Sequence, residues 1–101
     1  MRDSNLPNVY VLNKGAHDYS LAGRFGNIVY MSDGLLPKFN TGTIYRTVEA
    51  FLKDSHPEDY IVLSSLSVLQ AIASSYFAVK HGRLNLLIFK DGKYIPRNLK
   101  F

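Results

Sequence analysis

The chain has 101 residues, the size of one domain, and carries a formal net charge of +4. Hydrophobic residues make up 47% and charged residues 20%, which excludes a disordered chain and predicts a packed core. Because there is no cysteine, disulfides, thiolate metal sites and a cysteine nucleophile are excluded. Residues 1–7 lack the apolar run of a signal peptide, and no stretch approaches the roughly 20 apolar residues of a membrane span. We therefore expect a cytoplasmic protein, in a cell or in the cytoplasm of an infected host.

Four short runs rich in β-branched and aromatic residues predict buried strands at 9–12, 27–31, 60–63 and 84–89. Segments with helical spacing separate them. In the first, Asp18 is a candidate cap for a weak helix in which Leu21, Ala22 and Phe25 share a face. The second is capped by Asn40 or Thr41, and the third runs from Ser64 or Ser65 to Lys80 or His81.

The final strand follows Asp91-Gly92, which is a strong two-residue hairpin turn, and carries Pro96, a residue typical of edge strands. The resulting order is βαβαβαββ. It predicts one α/β domain over residues 1–101, with three layers and a mostly parallel five-stranded sheet of order 2-1-3-4-5. The last strand is antiparallel, and the layout is a reduced flavodoxin-like one.

Polar side chains follow the first three strands, and the C-terminal ends of parallel strands share one edge of a sheet, where ligands bind in open α/β folds. The candidate ligand-binding residues are Asn13, Lys14, His17, Asp33, Ser64 and Ser65. They favour a nucleotide or another anionic, phosphorylated small molecule, held by helix-start N–H groups and by the charge of Lys14. However, no P-loop or dinucleotide fingerprint surrounds Lys14, and Asp18 would itself occupy an anion position. Asp18, Ser64 and Ser65 are also ordinary helix caps.

An enzyme would need His17 as general base, Asp33 or Asp18 to orient it, and Ser64 or Ser65 as nucleophile. No G-x-S-x-G elbow surrounds either serine, so no catalytic residue is assigned. Catalysis ranks below ligand binding and protein interaction as a hypothesis. The three histidines, His17, His56 and His81, fall in separate segments without metal-ligand spacing. No metal and no cofactor is therefore predicted.

Protein interaction is the third class. Leu35, Leu36, Phe39 and Tyr45 surround a loop and a helix start, where exposed apolar side chains favour a partner or a fold-back lid. The third helix is apolar almost all round, so it is either central or meets a partner with part of its surface. The segment 99–101 leaves a homodimer by strand pairing open. Our first prediction is a non-enzymatic binding protein with a protein partner.

Nucleic acid is a further alternative partner, because positive charge is concentrated near the C-terminal end. The residues are Arg83, Lys90, Lys93, Arg97 and Lys100. A dedicated nucleic-acid binder shows a denser basic stripe, and lysines along an edge strand also prevent aggregation. The charge pattern thus favours a solvated edge.

Three segments, 13–20, 24–26 and 80–92, resemble small uncharacterised proteins encoded by tailed bacteriophages. They read Asn13-Lys14-Gly15-Ala16-His17-Asp18-Tyr19-Ser20, Arg24-Phe25-Gly26 and Lys80-His81-Gly82-Arg83-Leu84-Asn85-Leu86-Leu87-Ile88-Phe89-Lys90-Asp91-Gly92. The resemblance implies a phage accessory protein that acts on a host factor or a host signal. Our functional prediction is accordingly a phage accessory protein that contacts a host or viral macromolecule. It carries no assigned activity and no catalytic residues.

Overall fold

The computed structural model describes residues 5–14, 17–31, 40–63 and 67–101. Their elements, in chain order, are β1 (Asn8–Val11), a 3-10 helix (Ser20–Phe25), β2 (Asn27–Tyr30), α1 (Thr41–Leu52), β3 (Tyr60–Val62), α2 (Ser67–His81), β4 (Arg83–Lys90) and β5 (Lys93–Lys100).

The strands form one sheet in the order β2-β1-β3-β4-β5. Strand β1 pairs in parallel with β2 and with β3, and β3 pairs in parallel with β4. Strand β5 runs antiparallel to β4. The predicted fold class and strand order are therefore confirmed, and the first three strands end at a common edge, which we call the rim.

Alternate residues of β1 face two separate cores. Tyr10 and Leu12 face α1 and α2 and pack in a core with Val48 and Phe77. Val9 and Val11 face the opposite side of the sheet, towards a second core that includes Ala22 of the 3-10 helix. The period of two along a strand thus divides the apolar residues between two faces, which gives the three predicted layers.

The first helical segment differs from the sequence prediction. It is a 3-10 helix, and Asp18 Oδ1 accepts the N–H of Ser20, the first residue of that helix, at 2.9 Å rather than capping an α-helix. With three residues per turn, Ala22 stands above Phe25, but Leu21 lies outside that face and is 56% exposed. The predicted shared face of Leu21, Ala22 and Phe25 is therefore wrong for Leu21.

Two further local predictions are confirmed. Asn40 caps α1, because its Oδ1 accepts the N–H of Thr43 at 3.1 Å. Asp91 and Gly92 have φ angles of 55° and 80°, which are those of a type I′ hairpin turn. Ser64 and Ser65, the predicted caps of α2, lie outside the described residues.

Candidate interaction surface and the rim of the sheet

At the rim, the structure brings together part of the predicted ligand set. Lys14 Nζ lies 5.2 Å from the ring centroid of Tyr30 at the end of β2. The imidazole of His17 lies 5.3 Å from the ring of Tyr19, which is in turn 6.3 Å from the ring of Tyr30. Asp33, Ser64 and Ser65 lie outside the described residues, so the rim is built here from Asn13, Lys14 and His17.

Most hydrogen bonds at the rim join residues of the loop that follows β1 to one another. The N–H of His17 donates to the carbonyl of Lys14 at 3.3 Å, and Tyr19 Oη donates to the carbonyl of Asn13 at 3.4 Å. Asn13 Oδ1 is buried without a hydrogen-bond partner among the described residues. Among the described residues, the rim therefore offers a buried acceptor, Asn13 Oδ1, and a cation, Lys14, that lies over the ring of Tyr30.

The carboxylate of Asp18 occupies the N–H group that an anion would need. Hydrogen bonds from the backbone and the side chain of Ser20 lower the pKa of Asp18, so the carboxylate is ionised at neutral pH. A phosphate at this position would meet a negative charge rather than free N–H groups. The start of the 3-10 helix is therefore not an anion site.

A tyrosine cluster at the rim was missed by the sequence analysis. Burial raises the pKa of Tyr19, with a contribution from Tyr30, and burial also raises the pKa of Tyr94 beside Tyr19, Asp18 and Tyr30. Both phenols therefore stay neutral. No sequence pattern indicates the cluster, because Tyr30 and Tyr94 lie in strands 64 positions apart and each fits an ordinary strand pattern.

His17 and Asp18, two of the residues named for catalysis, each contact a different neighbour, and the others, Asp33, Ser64 and Ser65, lie outside the described residues. The ring of His17 packs against Tyr19, while the nearby Asp18 carboxylate accepts the N–H of Ser20. Over the described ranges, no group of three or more His, Asp or Glu residues is arranged to hold a metal ion. Nor does any helix in the same ranges have the length and apolar character to cross a membrane.

An open apolar surface lies on the two α-helices. We call it the α1–α2 face, and it consists of Val68 and of the side chains that line a groove of about 400 Å³: Tyr45 from α1, and Ala71, Ile72, Ser75, Tyr76 and Val79 from α2. Tyr45 is 46% exposed, Val68 41% and Val79 87%. The ring of Tyr45 packs edge-on to that of Tyr76 at 6.4 Å. The predicted partner residue Tyr45 is thus an exposed aromatic in this groove, whereas Leu35, Leu36 and Phe39 lie outside the described residues.

The α1–α2 face carries no charge. The inner side of α2 is buried through Leu69, Ala73 and Phe77, at a spacing of four residues. A solvated helix would place charged residues on the opposite side, but no charged residue occurs in α2 before Lys80. Charged groups lie at the border: Lys80 Nζ donates to the carbonyl of Lys53 at 2.6 Å, and Tyr45 Oη donates to Glu49 at 3.4 Å. The face is therefore apolar and framed by polar groups, as protein-binding patches are.

A small α/β protein with a neutral, exposed helix pair is the class that this fold and surface define. The model of the Phage Pam3 gp32-like protein family matches residues 7–101, so the chain belongs to that family. The predicted phage origin is thereby confirmed. No curated protein and no solved structure shows a significant match to the chain.

Proposed function

We propose that the chain is a non-enzymatic phage accessory protein that binds a protein in the cytoplasm of the infected host, through its α1–α2 face. The observation that carries this proposal is the uncharged, open surface of α2 beside Tyr45. Leaving such side chains in water costs roughly 25 cal/mol for each Å² of apolar area that a partner would cover.

The chemistry of the face selects the kind of partner. Nucleic acid and anionic small molecules need cations to neutralise phosphates, and the face supplies none. The aromatic pair Tyr45 and Tyr76 is instead typical of the residues that contribute most to protein–protein binding. The occupant is therefore a protein surface that presents uncharged, apolar side chains.

Site-specific photocrosslinking in infected cells tests the proposal. A photoreactive phenylalanine analogue at position 45 should crosslink to a protein, and Val79→Asp should abolish that crosslink because it places a charge in the groove. The matched control is position 21, since Leu21 is also exposed but belongs to the 3-10 helix, whose Ala22 packs in the core on the opposite side of the sheet. Equal crosslinking from positions 21 and 45, or none from position 45, would refute the proposal.

A second candidate is a small phosphorylated ligand at the rim. It is favoured by the unpartnered Oδ1 of Asn13, which would accept a hydrogen bond from a donor such as a base amino group, with Lys14 nearby in sequence. The ionised Asp18 carboxylate opposes it. The dependence of the melting temperature on added nucleotides separates the two candidates.

A further inference from the structure

We infer that the β4–β5 hairpin binds single-stranded nucleic acid along its free edge, which is the unpaired side of β5. This inference goes beyond the proposed function, because the hairpin is a different surface from the α1–α2 face. It follows from the charge of the hairpin, from the elements that pack on it and from the exposed aromatic rings at its two ends.

The hairpin holds the whole net charge of the chain. Residues 83–100 contain five basic residues and one acidic residue, whereas the rest of the chain has seven of each, from totals of 12 and 8. The five are Arg83, Lys90, Lys93, Arg97 and Lys100. The acidic residue is Asp91, in the turn. A polyanion that approaches the molecule is therefore drawn to this strand pair.

Like charges lie opposite each other across the hairpin. Arg83 pairs with Lys100, and Lys90 pairs with Lys93. Directly opposed like charges destabilise a sheet. Lysines that keep an edge strand from aggregating account for the charges of β5, but Arg83 and Lys90 belong to β4, which is an inner strand between β3 and β5. An anionic partner offsets the repulsion in both pairs.

The helices that pack on the hairpin supply no counter-charge. Helix α2 packs on β4 from one side of the sheet, and the 3-10 helix packs on β5 from the other. Neither helix contains an acidic residue. Asp18 precedes the 3-10 helix and lies near Tyr94, which faces that helix. Lys93 and Arg97 alternate with Tyr94 along β5, so they point to the side of α2, away from this carboxylate.

The free edge itself carries a cation. Pro96 occupies a position of the ladder that is not hydrogen-bonded to β4, so its carbonyl faces the free edge, and the guanidinium of Arg97 donates to that carbonyl at 2.8 Å. Pro96 offers no N–H for a pairing peptide strand, whereas phosphates need cations rather than strand register. The edge is about 24 Å long at about 3.4 Å per residue. A free nucleotide reaches only part of this charge, so the ligand is a strand of several nucleotides.

Exposed aromatic rings lie at both ends of the hairpin. Phe89, beside Lys90, is 50% exposed, and its ring packs edge-on to that of Tyr94 at 5.1 Å. Phe101, directly after Lys100, is 77% exposed. Aromatic rings beside a cationic track stack on unpaired bases, which a duplex does not offer. The rings therefore favour a single strand over a duplex and over an acidic peptide.

Fluorescence anisotropy of a labelled oligothymidylate of about 20 nucleotides tests the inference. Each phosphate that a cation neutralises contributes roughly −0.7 to the slope of log K against log salt for single strands. Lys93→Gln/Arg97→Gln should therefore weaken binding at low salt and make the slope less steep by roughly 1.4. Phe101→Leu keeps an apolar side chain without the ring, so it should weaken binding by roughly tenfold with little change in slope.

Arg46→Gln/Lys53→Gln is the matched control, because it removes the same charge from two exposed positions outside the hairpin and should leave the slope unchanged. No anisotropy change at low salt, an equal loss of slope in both double variants, or unchanged affinity in Phe101→Leu overturns the inference. Tighter binding of a duplex, or equal competition by polyglutamate at equal charge, overturns it in favour of duplex DNA or an acidic protein. Photocrosslinks from position 45 test the proposed function separately.

Discussion

The carboxylate of Asp59 accepts the backbone N–H of Asn8 at 2.9 Å and so joins the start of β3 to the start of β1. Asp59 is fully buried, and its carboxylate also accepts hydrogen bonds from Tyr10 Oη at 3.2 Å and from the N–H of His56 at 2.8 Å. We expect Asp59→Ala to lower the free energy of unfolding by about 3 kcal/mol, because several buried donors lose their acceptor. Urea denaturation measures this loss.

Tyr10→Phe is the matched control for this prediction. It removes one donor and leaves the Asp59 carboxylate bound to two backbone N–H groups, so a loss of about 1 kcal/mol is expected. If Asp59→Ala costs no more than Tyr10→Phe, the carboxylate does not hold the two strands together.

Gly26 and Gly92 should respond differently to substitution by alanine. A Cβ at Gly26 would overlap the backbone carbonyl of Pro7, whose oxygen accepts the N–H of Asn27 at 2.9 Å where β1 and β2 begin. A Cβ at Gly92 meets no atom, and only its φ of 80° opposes the change. We expect a loss of more than about 2 kcal/mol for Gly26→Ala and of about 1 kcal/mol for Gly92→Ala, measured by urea denaturation. Equal losses would mean that β1 and β2 do not approach as described.

More of the fold than of the interaction surface could be predicted from the sequence, because the patterns that indicate strands, helices and turns are local. The alternation of strand and helix patterns, together with right-handed crossovers, leaves few sheet orders, and Asp91-Gly92 fixes the hairpin. By contrast, Asp59 follows an exposed glutamate in a short polar loop, and its burial involves contacts with residues about fifty positions away. The apolar character of α2 could be predicted from the sequence, but which side of α2 is exposed to solvent depends on where α1 packs.

His81 makes stability depend on pH near neutrality. Burial first, and then the charge of Lys80, lowers the pKa of His81 below that of the unfolded chain. Ser55 Oγ donates to the carbonyl of Leu52, so it accepts a hydrogen bond from Nε2–H of the neutral imidazole at 2.8 Å. Below about pH 6.5 the unfolded chain gains a proton that the folded chain does not. This stabilisation is complete above that pH and is lost as pH falls through the folded pKa.

We expect the free energy of unfolding to decrease between pH 7.5 and 5.5, both being rough limits of the window, by less than about 1.4 kcal/mol per pH unit. Urea titrations across this range measure it. His81→Gln keeps a donor for Ser55 Oγ but does not titrate, so its profile should be flatter than that of the wild type. Parallel profiles for the two proteins would show that other groups cause the dependence.

Added nucleotides should leave the melting temperature unchanged, because the proposed function places binding on the α1–α2 face. A ligand present at 100 times its Kd would stabilise the fold by about 2.7 kcal/mol and shift melting by several degrees in a domain of this size. Thermal melting with a panel of nucleoside mono-, di- and triphosphates measures this. A shift that disappears in Lys14→Gln would favour the rim ligand over the protein partner.

Pro96 should keep the free edge of β5 from pairing with another strand. Lys90 and Lys93 flank the two-residue turn as a hydrogen-bonded pair, and hydrogen-bonded pairs then alternate with non-hydrogen-bonded pairs along β4 and β5. The bond from the N–H of Phe101 to the carbonyl of Gly82 fits this alternation. Pro96 pairs with Leu87 at the alternate position, so its nitrogen faces the free edge and offers no donor. This opposes a dimer by strand pairing along β5.

Pro96→Thr supplies the missing donor and a β-branched side chain, so we expect edge-to-edge association with little change in the stability of the single chain. Light scattering measures this association. Asn98→Thr is the matched control: Asn98 also occupies an outward-facing position, but its N–H is already present, so no donor is added. If the two threonine variants associate to the same degree, the effect comes from the threonine side chain and the proline nitrogen does not protect the edge.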